Sequence, residues 1–105
     1  MDKRKLGIKK MNTITINLKE NEIINYIINN FQEEALLEIS YNRLFIPGKI
    51  LILSIDYSDE LIITLQLMGQ LLHQTVDINI NEIIKELVEL KYTYKNKVTV
   101  LSISN

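Results

Sequence analysis

The stretch Lys49-Ile50-Leu51-Ile52-Leu53-Ser54-Ile55-Asp56 constrains this chain more than any other. Its apolar residues fill both odd and even positions. A strand that is apolar on both faces belongs in the middle of a sheet, with cover on each side. The polar turn Tyr57-Ser58-Asp59-Glu60 follows, and then an apolar segment from Leu61 to His73. There Leu61, Leu65, Met68 and Leu72 recur at helical spacing, joined by Ile62 and Leu71. The pattern predicts a helix capped by Ser58, with Asp59 and Glu60 in its first turn, where the helix dipole favours acids. Gly69 inside a helix would cost about 1 kcal/mol relative to alanine, so it predicts close packing there. A helix this apolar all round needs cover on more than one side, which predicts a homodimer.

Before this unit, Thr13-Ile14-Thr15-Ile16-Asn17-Leu18 alternates like a half-buried strand. Lys19-Glu20-Asn21-Glu22 opens a helix with Asn21 as its cap, and Ile23, Ile24, Ile27, Ile28 and Phe31 form its apolar stripe. A break near Glu34 leads into a strand from Leu36 to Tyr41. Asn42-Arg43 and Pro47-Gly48 then mark two turns. After the central unit, Val76 to Ile80 alternates again. Asn81-Glu82 opens a third helix carrying Ile83, Ile84, Leu87, Val88 and Leu90. Residues 91–97 form a connector, and Val98 to Ile103 is a closing strand. The expected fold is therefore α/β or α+β, one domain over residues 12–105. Its mixed sheet of about five strands is covered by three helices, in the order β-α-β-β-α-β-α-β. The repeated Asn-Glu-Ile-Ile at 21–24 and 81–84 fits either a duplicated strand-helix-strand unit or chance in a chain this rich in Ile and Asn, and the biased composition favours chance.

The chain has 105 residues and no cysteine. That length suits one domain with its own core. The missing thiols exclude disulfides and thiolate metal sites and fit a reducing cytoplasm. No apolar run is long enough to predict a membrane-spanning helix. Residues 1–11 read as a basic arm or a leader, with Met11 as a second potential start.

The net charge of −1 hides an asymmetry. Lys3, Arg4, Lys5, Lys9 and Lys10 lie at the start, and Lys91, Lys95 and Lys97 lie near the end. With Asp2 these ends carry +7, which leaves −8 on the middle. An acidic body with basic ends points to electrostatic partners.

Two groups of residues are candidate sites. Asp56, Tyr57, Ser58, Asp59 and Glu60 follow a sheet strand, where ligands of open α/β sheets bind. The plainer role of these residue types is capping and turning. Lys91, Tyr92, Tyr94, Lys95 and Lys97 interleave cations with rings, a pattern that pairs phosphates and stacks bases. Their plainer role is a solvated turn with the tyrosines packed on the sheet. His73 is the only histidine and has no second His or Cys with which to share a metal. The three glycines are too far apart for a phosphate loop. No metal, cofactor or catalytic residue is expected.

The residues Thr13 to Glu22 resemble the opening strand and helix of ribbon-helix-helix antitoxins and repressors. Pro47 and further strands follow where that family has its second helix, so no DNA-reading residue carries over. The strand ending at Asp56, with Ser58 at a helix start, is similar to the phosphorylatable turn of STAS-type anti-sigma antagonists, without their Ser-Gly or Thr-Gly step. The resemblances imply a DNA-binding regulator in one case and a signalling domain in the other. The reading that the residues favour is a small, cytoplasmic, non-enzymatic domain that regulates or interacts by binding a protein through its acidic body. Mobile elements and phages encode many such proteins. A nucleic-acid-binding regulator that uses the basic ends is the alternative.

Overall fold

The computed structural model describes residues 12–69 and 74–104. They form β1 (Asn12–Lys19), α1 (Glu20–Asn30), β2 (Leu36–Tyr41), β3 (Leu44–Ile55), β4 (Leu61–Leu67) and β5 (Thr75–Asn79). The four-residue helix α2 (Ile80–Ile83) and a turn of 3-10 helix (Ile84–Glu86) lead to β6 (Leu87–Tyr94) and β7 (Lys97–Ser104). All the strands join one sheet in the order β1-β7-β6-β2-β3-β4-β5. β1 is parallel to β7, and every other pairing is antiparallel.

This differs from a five-stranded sheet covered by three helices. Only α1 is a full helix among the described residues. It begins at Glu20, and its capping residue is Lys19, not Asn21. The Lys19 amide donates to the Glu22 carboxylate at 2.9 Å, which satisfies one of the free N–H groups at the helix start. Ile23 and Ile27 are fully buried beneath the helix.

The segment from Leu61 is a strand, not a helix. Leu61, Ile63 and Leu65 are buried, and Ile62, Thr64 and Gln66 between them are half-buried. Three consecutive β-branched residues, Ile62, Ile63 and Thr64, favour the pleated surface, and β3 and β5 supply partners on both sides. Gly69 follows this strand. Leu71, Leu72 and His73 lie outside the described residues, as does the arm of residues 1–11. With no helix at 61–67, the argument for a dimer through that helix falls.

The third expected helix stops after two short turns, and Leu87, Val88 and Leu90 lie on β6. Ser40 pairs with Glu89 and Tyr41 with Leu87, so Val88 is an extra residue in the ladder. This bulge puts Leu87 and Leu90 on one face, and their spacing of three imitates a helical stripe. Asn79, not Asn81, caps α2 by accepting the Glu82 amide at 3.2 Å.

Pro47 and Gly48 lie within β3 and do not form a turn. The Pro47 carbonyl accepts the Met68 amide at 3.1 Å. The backbone of Pro47 therefore faces Met68, just past the last residue of β4, so the N–H that proline lacks is missing only at the end of that ladder.

A second bulge at Leu51 bends β3, since Ile50 pairs with Leu65 while Ile52 pairs with its neighbour Thr64. Asn81 Oδ1 accepts the Leu61 amide at 2.8 Å, and the Glu86 carbonyl accepts the Asn42 amide at 2.9 Å. Five residues bridge those two points, a reach of at most roughly 18 Å. A straight β3 would separate its ends by roughly 37 Å. The sheet therefore coils around its own concave face. That face carries Leu37, Ile39, Ile50, Ile63, Leu65, Leu90, Tyr92 and Leu101, all buried. Together with α1 they make one core cluster. The convex face is mostly polar, with Thr13, Thr15, Lys91, Thr93, Glu38, Lys49 and Thr64 at the alternate positions.

β1 and β2 point the same way with β7 and β6 between them, so α1 is the crossover of a split β-α-β unit. Among the described residues no helix is long and apolar enough to cross a membrane.

Candidate functional site

The five residues Asp56 to Glu60 form the tip of the β3–β4 hairpin. The Asp56 carboxylate organises it. Its Oδ1 accepts the amides of Ser58 and Glu60, each at 2.9 Å. The Asp56 amide donates to the Glu60 carbonyl at 2.9 Å, and the Asp59 amide donates to the Asp56 carbonyl at 3.0 Å. Asp59 takes φ 61, a conformation that Asp tolerates better than most residues. Glu60 Oε1 accepts from the Asn79 side chain at 2.9 Å, which ties the tip to the cap of α2. Ser58 therefore sits in a hairpin turn and not at a helix start. This removes the geometry behind the likeness to STAS-type antagonists, and no helix N-terminus faces a ligand there.

Two groups at the tip have no such structural task. Tyr57 is fully exposed, at 107% of its reference area. Among the described residues neither its hydroxyl nor the Asp59 carboxylate has a hydrogen-bond partner. Ile55, 49% exposed, extends the apolar surface toward β3. The tip is thus a fixed loop that presents a ring and a carboxylate to solvent.

The second candidate group is divided by the pleat of β6. Lys91 points to the convex face and pairs with Glu38 at 3.7 Å. Tyr92 points to the concave face and is buried. Its ring stacks on Phe31 with centroids 4.2 Å apart and planes 7° from parallel. Its hydroxyl accepts the Gln32 amide at 2.9 Å. Tyr92 is therefore a core residue that closes the end of α1, and its ring is not available to a base. Tyr94 continues the aromatic row at 6.4 Å from Tyr92. Lys95 lies over the Tyr94 ring at 5.3 Å.

Lys95 and Asn96 form the two-residue turn between β6 and β7, with φ 47 and 64, the two positive angles that a type I′ hairpin requires. The Asn12 amide donates to the Asn96 carbonyl at 3.2 Å, and Asn12 pairs with Lys97. The first described strand thus begins beside Lys95 and Lys97. Sequence reasoning left the convergence of residues 1–10 with 91–97 as an open question, and the structure describes this junction only from Asn12 onward. Only the parallel pairing of the first strand with the last creates it.

Burial raises the Tyr92 hydroxyl above its ordinary pKa of 10.0, against the smaller opposing effect of the Gln32 hydrogen bond. The folded state thus holds that proton more tightly than the unfolded chain. Its contribution to stability is full below pH 10 and is lost as pH rises toward the folded-state value. Tyr92→Phe is expected to cost about 1–2 kcal/mol at neutral pH, because it strands the Gln32 amide. It is also expected to flatten the loss of stability above pH 10. Urea unfolding of both proteins at neutral and alkaline pH checks this. Equal alkaline slopes would exclude Tyr92 as the group responsible.

Among the described residues no three His, Asp or Glu side chains converge as metal ligands. No curated protein and no solved structure matches the chain. One family matches residues 13–102, from the second residue of β1 to within two residues of the end of β7. The chain therefore belongs to the family described as an uncharacterized protein conserved in archaea (DUF2097).

Proposed function

We propose that this domain acts in the cytoplasm as a protein-interaction module that docks a partner on the β3–β4 hairpin tip. The observation that carries this reading is the complete exposure of Tyr57 on a loop fixed by the Asp56 carboxylate. A tyrosine held in place supplies a large contact area at small conformational cost, and tyrosine is enriched among the residues that dominate binding energy. Asp59 and the acidic surroundings favour a partner with basic residues around an apolar pocket.

A photo-reactive residue in place of Tyr57 is expected to give a covalent adduct with one protein species in the cells that express the domain. The same group in place of Thr93, on the convex face, is expected to give none. Asp59→Lys, combined with the reactive residue at 57, is expected to cut the yield at least roughly tenfold by reversing the charge complementarity. Equal adducts from both positions, or none from either, would defeat the reading.

A second reading is supported by the junction at Asn12. The turn cations Lys95 and Lys97 lie beside Asn12 at the start of β1, and the sequence before it carries Lys3, Arg4, Lys5, Lys9 and Lys10, a set of charges that favours contact with nucleic-acid phosphates. Fluorescence anisotropy with generic DNA and RNA at two salt concentrations tests it. Phosphate contacts require affinity that falls steeply with salt and drops when Lys95 and Lys97 become alanine. No binding at low salt would remove it.

A further inference from the structure

We propose that the outer edge of β1 pairs antiparallel with β1 of a second copy of this chain, centred on Thr15. This goes beyond the hairpin-tip reading and does not depend on it. Among the described residues β1 pairs on one side only, with β7, so its other side is a sheet edge. Edges are usually blunted by charge, proline, bulges or short length. β5, the opposite edge, has five residues and carries Asp77. β1 has eight residues, and from Asn12 to Leu18 it has no charge and no proline, with an unbroken register against β7. Ile14 is 55% exposed on it.

The direction of the backbone fixes what can pair. The Asn12 amide donates toward the β6–β7 side. In an extended strand, the N–H and C=O of one residue point the same way and alternate along the chain. Asn12, Ile14, Ile16 and Leu18 therefore face β7, and Thr13, Thr15 and Asn17 present their amides and carbonyls outward. An antiparallel pair centred on Thr15 places Thr15 opposite the second copy's Thr15, and Thr13 opposite its Asn17. These are the residues with outward backbone groups, so each such pair exchanges both of its hydrogen bonds.

Ile14 then falls opposite the second copy's Ile16, in the close, non-hydrogen-bonded position. Both lie on the concave side, because Ile16 pairs with the buried Leu101. Thr and Asn meet Thr and Asn on the convex side. From Thr13 to Asn17 the pattern of the strand is its own complement about Thr15, as a two-fold interface requires. A register slipped by one residue would set apolar side chains against polar ones.

The helix beside the edge fits as well. A two-fold axis normal to the sheet keeps both α1 helices on one face. Asn21, Asn25 and Asn29 repeat every fourth residue and border a shallow hollow with Leu18 on the β1 side. The only charge on that hollow is Glu22, whose carboxylate is held by the Lys19 amide. Each copy thus brings a mostly neutral asparagine stripe with a single carboxylate, so like-charge repulsion across the axis is limited to the two Glu22 side chains.

An edge pairing of this length buries little area, so the dimer is expected to dissociate on the order of micromolar. Sedimentation of the full chain from low to high micromolar is expected to show a reversible monomer–dimer equilibrium. Thr15→Pro removes only an outward N–H, which an edge strand tolerates, and is expected to weaken the dimer at least roughly tenfold with α1 and the sheet intact by circular dichroism. Ile14→Lys, which leaves the backbone unchanged, is expected to do the same.

The natural absence of cysteine allows a test of register. Thr15→Cys is expected to cross-link to its own copy under mild oxidation. Thr13→Cys is not, because position 13 faces position 17 and the two copies of position 13 lie roughly 13 Å apart, beyond disulfide reach. A monomer at every concentration overturns the proposal, whether the edge stays open or other residues of the same chain cover it. Equal cross-linking from both cysteine variants overturns it too.

Discussion

Ile27→Ala is expected to destabilise the domain by about 3–4 kcal/mol, whereas Ile28→Ala, one residue along the same helix, should cost less than about 1 kcal/mol. Among the described residues α1 is the one full helix on the concave face, and Ile27 is completely buried between it and the sheet. Truncation removes buried methyl and methylene groups and leaves a cavity. The strands packed against α1 include β7, tied on both edges to β1 and β6, which collapses poorly into the space. Ile28 lies on the flank, 48% exposed, beside Leu53, Ile55 and Leu61 around a hollow of about 160 Å³. Water already reaches it, so less transfer energy is lost. Both substitutions alter helix propensity alike, so the difference between them isolates burial. Urea unfolding of the two variants measures it, with a shifted midpoint at constant slope. Similar losses from both would mean that α1 does not seat on the sheet by its Ile23–Ile27 face.

How much of this was legible in the sequence varies along the chain. The ends of the fold were readable. Thr13 to Leu18 alternates cleanly, the stripe on α1 has one period, and Leu36 to Tyr41 has polar turns on either side. Each of these segments turns one apolar face toward the core, although Ile14 and Ile28 on those faces stay about half exposed, and period reports that one-sidedness. The segment Leu61–Leu67 failed because its second face is half-buried as well. Leu, Ile and Thr at every position but Gln66 satisfy both periods. The β-branched run Ile62-Ile63-Thr64 was the signal that could have decided for strand. At Leu87-Val88-Leu90 the cause was a bulge, which shifts the face by one residue and turns a period of two into an apparent period near three. No local rule foresees that shift, because it depends on the pairing with β2.

The candidate sites follow the same logic. The residue types at Asp56 to Glu60 announced a turn, and a turn is there. What it joins changed from strand–helix to strand–strand, and with it the role of Ser58. For Lys91 to Lys97, composition suggested a mixed basic and aromatic surface. Alternation on β6 separates the two, with Lys91 on the convex face against Glu38 and Tyr92 in the core against Phe31. The β1 edge could not have been singled out from sequence. Its significance arises from β7 occupying one side of β1 while the other lies at the margin of the sheet.

Gly48→Ala separates the turn and strand readings of Pro47-Gly48 most sharply, and it is expected to cost about 2 kcal/mol. Two effects of opposite sign compete. Alanine restricts the unfolded chain more than glycine does, which by itself stabilises by about 0.4–1 kcal/mol where the native conformation accepts it. Against this, a Cβ at Gly48 would sit 2.9 Å from the Gln66 carbonyl oxygen and 3.1 Å from Leu65 Cβ. The first of these is backbone of the adjoining strand β4, with β5 hydrogen-bonded on its far side at Gln66 and Thr75. It cannot swing away as the end of a long side chain would. Relief requires β3 and β4 to separate locally, and overpacking of this kind costs about 1–3 kcal/mol. The steric effect is the larger, so the net sign is destabilising. Pro47→Ala supplies the contrast. Its backbone faces beyond the end of β4, so replacing it should change stability by less than about 1 kcal/mol. If Gly48→Ala proved stabilising, β3 and β4 would not approach as closely as the pairing of Gly48 with Leu67 requires, and the register of the central sheet would have to be redrawn.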